Sequence, residues 1–216
     1  MSDIFREVDQ ELKQERYALL WKKYGHYVLG LAVVLVLGVA GYQGWDWYRS
    51  SVRMSESARF VEAMELVVEG RQQDALGRFE ALAADSSTGY EVLARFRAAS
   101  LRRQAGDGAG ALSVYEEIVA DESVDDIYRQ LANLLIALDT LDEAEPAALQ
   151  ERLEPLARPG APWRHTAREA LAALALRRGN AEDAAGLYRE LSDDGEAPQG
   201  IRARAAEMLA IIGQKG

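Results

Sequence analysis

Five positions recur in register at three places along this chain, and that repetition limits the fold more than any other feature. Ala63, Gly70, Ala75, Phe79 and Leu82 are matched by Ala99, Gly106, Ala111, Tyr115 and Ile118, and again by Ala172, Gly179, Ala184, Tyr188 and Leu191. The glycines are 36 and then 73 residues apart, so one degenerate unit is expected in the second interval. Ala147 falls at its alanine position, Glu151 at its aromatic position, and Pro159 at a spacing suited to ending its second helix. The pattern has a physical reading as helix-pair packing. A small residue on a first helix lets a second approach, glycine turns the chain, and alanine with an aromatic residue four positions later faces the partner.

Composition agrees with helices. Ala, Leu, Glu and Arg dominate after the N-terminal region, whereas valines concentrate before it ends. Ile127, Leu131, Leu134, Leu135 and Leu138 are expected on one buried stripe, as are Ala167, Leu171, Leu174 and Ala175. A last helix carries Ile201, Ala205, Met208, Leu209 and Ile212 on one side, with Arg202, Arg204 and Glu207 for the wet side, as in a terminal cap. Pro198 suits its first turn.

Nineteen consecutive residues, 27–45, carry no charge. As a helix they reach about 28 Å, close to the thickness of a bilayer core. Trp21, Tyr24 and Tyr27 stand at one end and Trp45, Trp47 and Tyr48 at the other, where amphipathic rings fit the headgroup regions. The expected organisation is a leader over 1–26, a transmembrane helix over 27–48 and a repeat domain over 49–216. The alternative is a cleaved signal peptide, since Gly38 and Ala40 are spaced like a cleavage site, although a leader with five acids is poorly basic for one. Lys22 and Lys23 at the boundary favour a cytoplasmic N-terminus. Ile4, Phe5, Val8, Leu12 and Leu19 give the leader the spacing of an amphipathic helix.

The formal charge of −10 sits mainly in the later part, where residues 49–216 carry 29 acids against 20 bases. Nucleic acid is therefore not an expected partner. The absence of cysteine excludes thiol nucleophiles and cysteine-ligated metal. His26 and His165 have no ligand set nearby in sequence, and Asp125 with Asp126 and Asp193 with Asp194 fall at expected turns or helix starts. Gly106, Gly108 and Gly110 lack the strand and lysine of a phosphate loop and mark a hairpin turn. No catalytic residue, metal, cofactor or small-molecule substrate is expected.

The small, small and aromatic positions Ala99, Ala111 and Tyr115, with their equivalents, resemble those of tetratricopeptide repeats over about residues 55–193. With the leader, a turn at Gly25, the glycine-rich span and the exit at Gly44, Trp45 and Tyr48, the chain resembles the YfgM-type ancillary subunits of the SecYEG translocon, a membrane-anchored repeat family. The resemblance implies an all-α fold: one N-terminal transmembrane helix, then a right-handed α-solenoid of about four helical hairpins plus a C-terminal capping helix. It also implies a bacterial inner-membrane protein with a cytoplasmic N-terminus and a periplasmic repeat domain. The implied function is that of a tethered protein–protein adaptor contacting the translocon, periplasmic chaperones and the lipid bilayer. On that resemblance the concave face is lined by first helices, which turns Phe60, Met64, Phe96, Ser100, Arg103 and Glu169 toward a partner. The large Leu82, Ile118 and Leu191 depart from the family's pattern. Other readings are a cell-envelope scaffold for another assembly, a soluble periplasmic repeat protein, and a hydrolase whose carboxylates meet only in three dimensions.

Overall fold

The computed structural model describes the backbone of residues 2–86 and 89–215; the side chains of residues 2–21, 24–26, 28, 31–33 and 215 lie outside the described set. Every element is helical: α1 (Ser2–Val68), α2 (Gln72–Asp85), α3 (Tyr90–Gln104), α4 (Gly108–Ala120), α5 (Asp126–Asp139), α6 (Pro146–Leu153), a 3-10 turn (Glu154–Ala157), α7 (Arg164–Arg177), α8 (Ala181–Asp193) and α9 (Gln199–Lys215). Among the described residues there is no strand. Two compact units, Met1–Ser55 and Glu56–Gly216, divide the chain.

In the second unit the helices pair in chain order. The end of α1 pairs with α2, α3 with α4, α5 with α6 and α7 with α8, and α9 packs on α8. Three of the hairpin turns are built alike. Gly106 has a φ of 85°, its N–H donates to the Arg103 carbonyl at 3.0 Å, and the Asp107 N–H donates to the Arg102 carbonyl at 2.9 Å. The same two bonds recur at Gly70 with Arg71, and at Gly179 with Asn180. Only glycine adopts that left-handed conformation without steric cost, and the paired bonds satisfy carbonyls that the helix end would otherwise strand. The residue after each glycine also begins the next helix. Asp107 accepts from the Gly110 N–H at 2.8 Å and Asn180 from the Asp183 N–H at 3.2 Å. A Cβ built at Gly110 would lie 2.1 Å from the Asp107 carboxylate, so a side chain there would make that carboxylate turn.

The degenerate third unit is displaced by two residues from the expected register. Ala147 is exposed; Leu149 occupies the repeated alanine position, Leu153 the aromatic one and Leu156 the last, all buried. Ala137 and Ala144 precede them at the first-helix and glycine positions, so the internal spacing matches the other units. The shift arises in the α4–α5 connection, where Tyr90 and its counterpart Tyr128 are 38 residues apart rather than 36. Without glycine at position 144, α5 ends at Asp139 and a turn over 140–144 takes the chain round. Arg177 fastens that turn by donating to the carbonyls of Leu141 and Ala144. Pro155 has no N–H and its ring would clash with the preceding turn, which accounts for α6 giving way to a 3-10 turn.

The buried side chains form four successive clusters rather than one core. Ala94, Ala98 and Leu101 of α3 pack with Ala63, Ala75, Phe79 and Leu82, whereas Val92 and Ala99 of the same helix join Ala111, Tyr115 and Ile118. Helix α5 is divided in the same way. Ala132 and Ile136 face backward to Tyr115 and Ile118, while Leu134 and Ala137 face forward to Leu149, Leu153 and Leu174. The single α5 stripe expected from sequence is therefore corrected: a helix packed on both sides needs two buried faces, and Ile127 and Leu138 remain 41% and 38% exposed. In α9, Ile201 and Ala205 are buried against Tyr188 and Leu191, with Met208, Leu209 and Ile212 partly buried beside them.

Helix α1 runs through Gly25 without the expected turn. Among the described residues no helix is long and apolar enough to cross a membrane. The span expected over 27–48 is described only in part, since the side chains of Val28, Leu31, Ala32 and Val33 lie outside the described set, as do those of the leader. Its described apolar side chains are uncovered, Leu29, Val34, Val36 and Leu37 each being 65–66% exposed.

Asp121 and Asp194, equivalent positions at the ends of α4 and α8, are both held below the ordinary carboxylate value. The Ser123 hydroxyl and N–H, then Arg95, act on Asp121; the Glu196 N–H, then His165, act on Asp194. Groups whose folded value is depressed stabilise the fold above their unfolded value and lose that contribution as pH falls through the folded one. Acid unfolding between about pH 5 and 2 should therefore be shallower for D121N and D194N than for the parent, measured by circular dichroism. Ala111 is fully buried, so Ala111→Trp should overpack α3 against α4 and lower unfolding stability by at least about 2 kcal/mol; an unchanged denaturant midpoint would contradict its placement. Gly106→Ala should cost about 1–2 kcal/mol through its left-handed backbone. Gly108→Ala, where a Cβ meets nothing within 4 Å, should be neutral or mildly stabilising.

Candidate protein-binding face

The first helices of the hairpins, the end of α1 with α3, α5 and α7, carry all six residues expected to face a partner. The structure gives most of them internal work. The Phe60 ring lies 5.3 Å from Phe79, edge-on, and 5.7 Å from Tyr90, so it packs the first hairpin against the start of the second. Phe96 repeats the arrangement one unit later, 6.0 Å from Tyr115 and 6.4 Å from Tyr128. Met64 is partly buried against the cluster that holds Phe79. Ser100 accepts from the Gln104 amide at 3.3 Å. Arg103 reaches the next first helix, where Asp139 accepts at 2.6 Å. Glu169 accepts from both Nε and Nη2 of Arg204 at 2.7 Å, which ties α7 to α9.

These residues do not converge on one patch. Phe60 and Met64 belong to one cluster and Phe96 to the next, while Arg103 and Glu169 form ion pairs between units. The ion pair with Glu169 holds the Arg204 proton more firmly than usual. Left exposed on first helices are Val61 at 51% and Leu93 at 37%, which sequence reasoning passed over, and Leu138 at 38%, expected from sequence on a buried stripe. Leu138 occupies in the third unit the position that Ser100 holds in the second, a match hidden by the wrong register.

The two tyrosines at the aromatic position of the repeat are packing residues, as is Phe79. Tyr115 and Tyr188 are each 3% exposed, and burial raises their hydroxyl pKa values above the ordinary tyrosine range. His165 is 9% exposed, with Nε2 3.0 Å from the Asp194 carboxylate, and it takes the register position of Val92. Among the described residues no group of three or more histidine, aspartate or glutamate side chains is placed to hold a metal ion.

Of the rings expected at the membrane interfaces, Tyr27, Trp45, Trp47 and Tyr48 are exposed. Trp45 lies 6.3 Å from Tyr48 and carries the Arg49 guanidinium 5.6 Å over its ring. The side chains of Trp21 and Tyr24 lie outside the described residues.

Comparison with known structures places the architecture. Two crystal structures of a Podosopora anserina protein described as a kinesin light chain with nearly identical TPR-like repeats, one of them a point variant, share the fold. The TM-scores are 0.55 and 0.54 at 18% identity, over 73% of this chain and 84% and 85% of those chains. At that identity the likeness concerns the fold alone, an all-α solenoid of helical repeats. Among curated proteins no sequence match is found. The tetratricopeptide repeat-like domain matches residues 19–190, most of the chain. The chain therefore belongs to the tetratricopeptide repeat-like domain family.

Proposed function

We propose that this chain is a membrane-tethered adaptor that binds other proteins through its repeat domain, with residues 27–48 as the anchor. The observation that carries the reading is the pairing of a repeat solenoid of this family with a run of uncovered apolar side chains, Leu29, Val34, Leu35, Val36, Leu37 and Val39, each 56–66% exposed. Exposed apolar side chains in such number call for lipid or protein against them. Trp45, Trp47 and Tyr48 at the end of that run have the amphipathic character of headgroup anchors. The lysines at 22 and 23 favour a cytoplasmic N-terminus, which would place the acidic repeat domain on the periplasmic side of a bacterial inner membrane. The translocon channel and periplasmic chaperones are the partners that the family resemblance suggests.

Binding rather than chemistry suits the domain. Its interior is divided among four packed clusters of alanine, leucine and aromatic side chains. Exposed leucines on the first helices offer apolar contact area, and the flanking Arg97, Arg103 and Glu65 supply charge for selectivity.

Alkaline carbonate should leave the protein in the membrane pellet, and externally added protease should reach the repeat domain in spheroplasts. Extraction by carbonate with a mature N-terminus near Gly41 would instead establish the cleaved-leader reading. A photo-crosslinking residue at Leu93 or Leu138 should capture translocon subunits or periplasmic chaperones in native membranes, whereas one at buried Ala111 should not. Capture of a different envelope assembly would redirect the partner assignment, and no capture at either position would defeat the adaptor reading.

A further inference from the structure

Two grooves on the second-helix side of the repeat unit share their construction and differ in how their charges are satisfied. One runs between α2 and α4 over α3, and the other between α6 and α8 over α7. In the first, Glu80 accepts from Arg102 at 2.6 Å and 3.2 Å, and Asp121 accepts from Arg95 at 3.1 Å. Both arginines rise from the floor helix α3, so this groove supplies its own cations.

The corrected register aligns the second groove with the first, residue by residue. Glu154 stands where Glu80 does and Glu190 where Glu117 does, but Ala175 replaces Arg102, Leu171 replaces Ala98 and Leu187 replaces Val114. Arg168, the counterpart of Arg95, turns to the Ala157 carbonyl at 3.1 Å instead. What results is a concavity of about 480 Å³ with an apolar floor and four carboxylates, Glu154, Glu182, Asp183 and Glu190, against one base, Arg178. Arg178 is bound to the Gln150 amide oxygen at 2.9 Å, and Glu154 receives only the neutral Gln150 amide at 2.7 Å. Asp183 serves the start of α8 through Asn180. Glu182 and Glu190 form no side-chain hydrogen bond or ion pair among the described residues, and Gly186 between them on the same stripe leaves the floor open, with nothing within 4 Å of a Cβ built there.

We propose that the α6–α7–α8 groove docks a basic amphipathic helix of a partner protein. Its apolar face lies on Leu171, Ala175 and Leu187, and one arginine or lysine fills, against Glu154, the place that Arg102 fills in the companion groove. Glu182 and Glu190, eight residues and about 12 Å apart on α8, offer alternative carboxylates along the rim for a second base about seven residues along the guest helix. Four carboxylates repel phosphate, which sets a basic protein helix apart from nucleic acid or an anionic membrane as the occupant. The arrangement is a helix laid in a groove, with charge at the rim fixing its register. This assignment rests on the reading of the chain as a protein-binding adaptor and adds the chemical class of one partner segment.

The test uses the full chain in nonionic detergent and a labelled helical peptide of about sixteen residues, with leucines on one stripe and two arginines about seven residues apart. Fluorescence anisotropy should show saturable binding, weakened about tenfold in the E182Q/E190Q variant and by a rise in salt from about 0.05 to 0.5 M. A175R should weaken it at least as much, because it gives Glu154 the arginine that the guest would bring. E117Q in the companion groove should leave it unchanged. The proposal is overturned if the parent protein does not bind the peptide, if a peptide with glutamates in place of arginines binds equally, or if E182Q/E190Q and A175R both bind like the parent. Partners still captured at Leu93 or Leu138 in any of those cases would leave the adaptor reading standing and remove only this groove; loss of partners at every position would remove the adaptor reading itself.

Discussion

The fold of the repeat unit depends on first helices buried on two sides at once. Helices α3 and α5 each divide their small and apolar residues between the cluster behind and the cluster ahead. No hairpin closes its own core, so each is stable only with neighbours that complete it, and α9 covers the last one. Ala99, Ala132 and Ala137 are fully buried at these crossings, where a larger side chain would force the helices apart. Three ion pairs follow the same geometry, while others, Arg59 with Asp85 and Arg95 with Asp121 among them, stay within one hairpin. Arg103 with Asp139, Arg152 with Glu116 and Arg204 with Glu169 all connect one unit to another rather than bracing a single hairpin.

Helical hairpins were legible in the sequence because their grammar is local. Gly70, Gly106 and Gly179 mark turns that only a left-handed residue makes cheaply, and Ala75, Ala111 and Ala184 follow at a fixed distance. The third unit was harder to read, since its glycine is Ala144 and its aromatic is Leu153. An interval of 73 residues divides into 38 and 35 as readily as into near halves, and only packing distinguishes the two. The same limit applied to the face offered to partners. Phe60 and Phe96 occupy the expected positions, but helical spacing cannot tell a ring that faces outward from one wedged between Phe79 and Tyr90 or Tyr115 and Tyr128.

Irregularity in the third unit has local compensation. Pro155 shortens α6, and the absence of glycine ends α5 early, yet arginines of α7 hold both places: Arg177 at the turn after α5 and Arg168 at the end of the 3-10 turn. Using Arg168 in this way withdraws the counterpart of Arg95 from the α6–α7–α8 groove, and Ala175 in the place of Arg102 removes the other base, the one that pairs with a carboxylate of α2 in the companion groove.

The shared residue at three of the hairpin turns has a consequence for how such a domain varies in length. Asp107 finishes one helix and starts the next, so the bend contains no spare position at which the chain could grow by one residue without losing both sets of bonds. Connections between hairpins carry no such double duty, and the two additional residues before Tyr128 fall there. Insertions and deletions are thereby channelled to the joints between units, while the distance from first small residue to last buried leucine or isoleucine inside each one stays constant even where its glycine and aromatic have been exchanged.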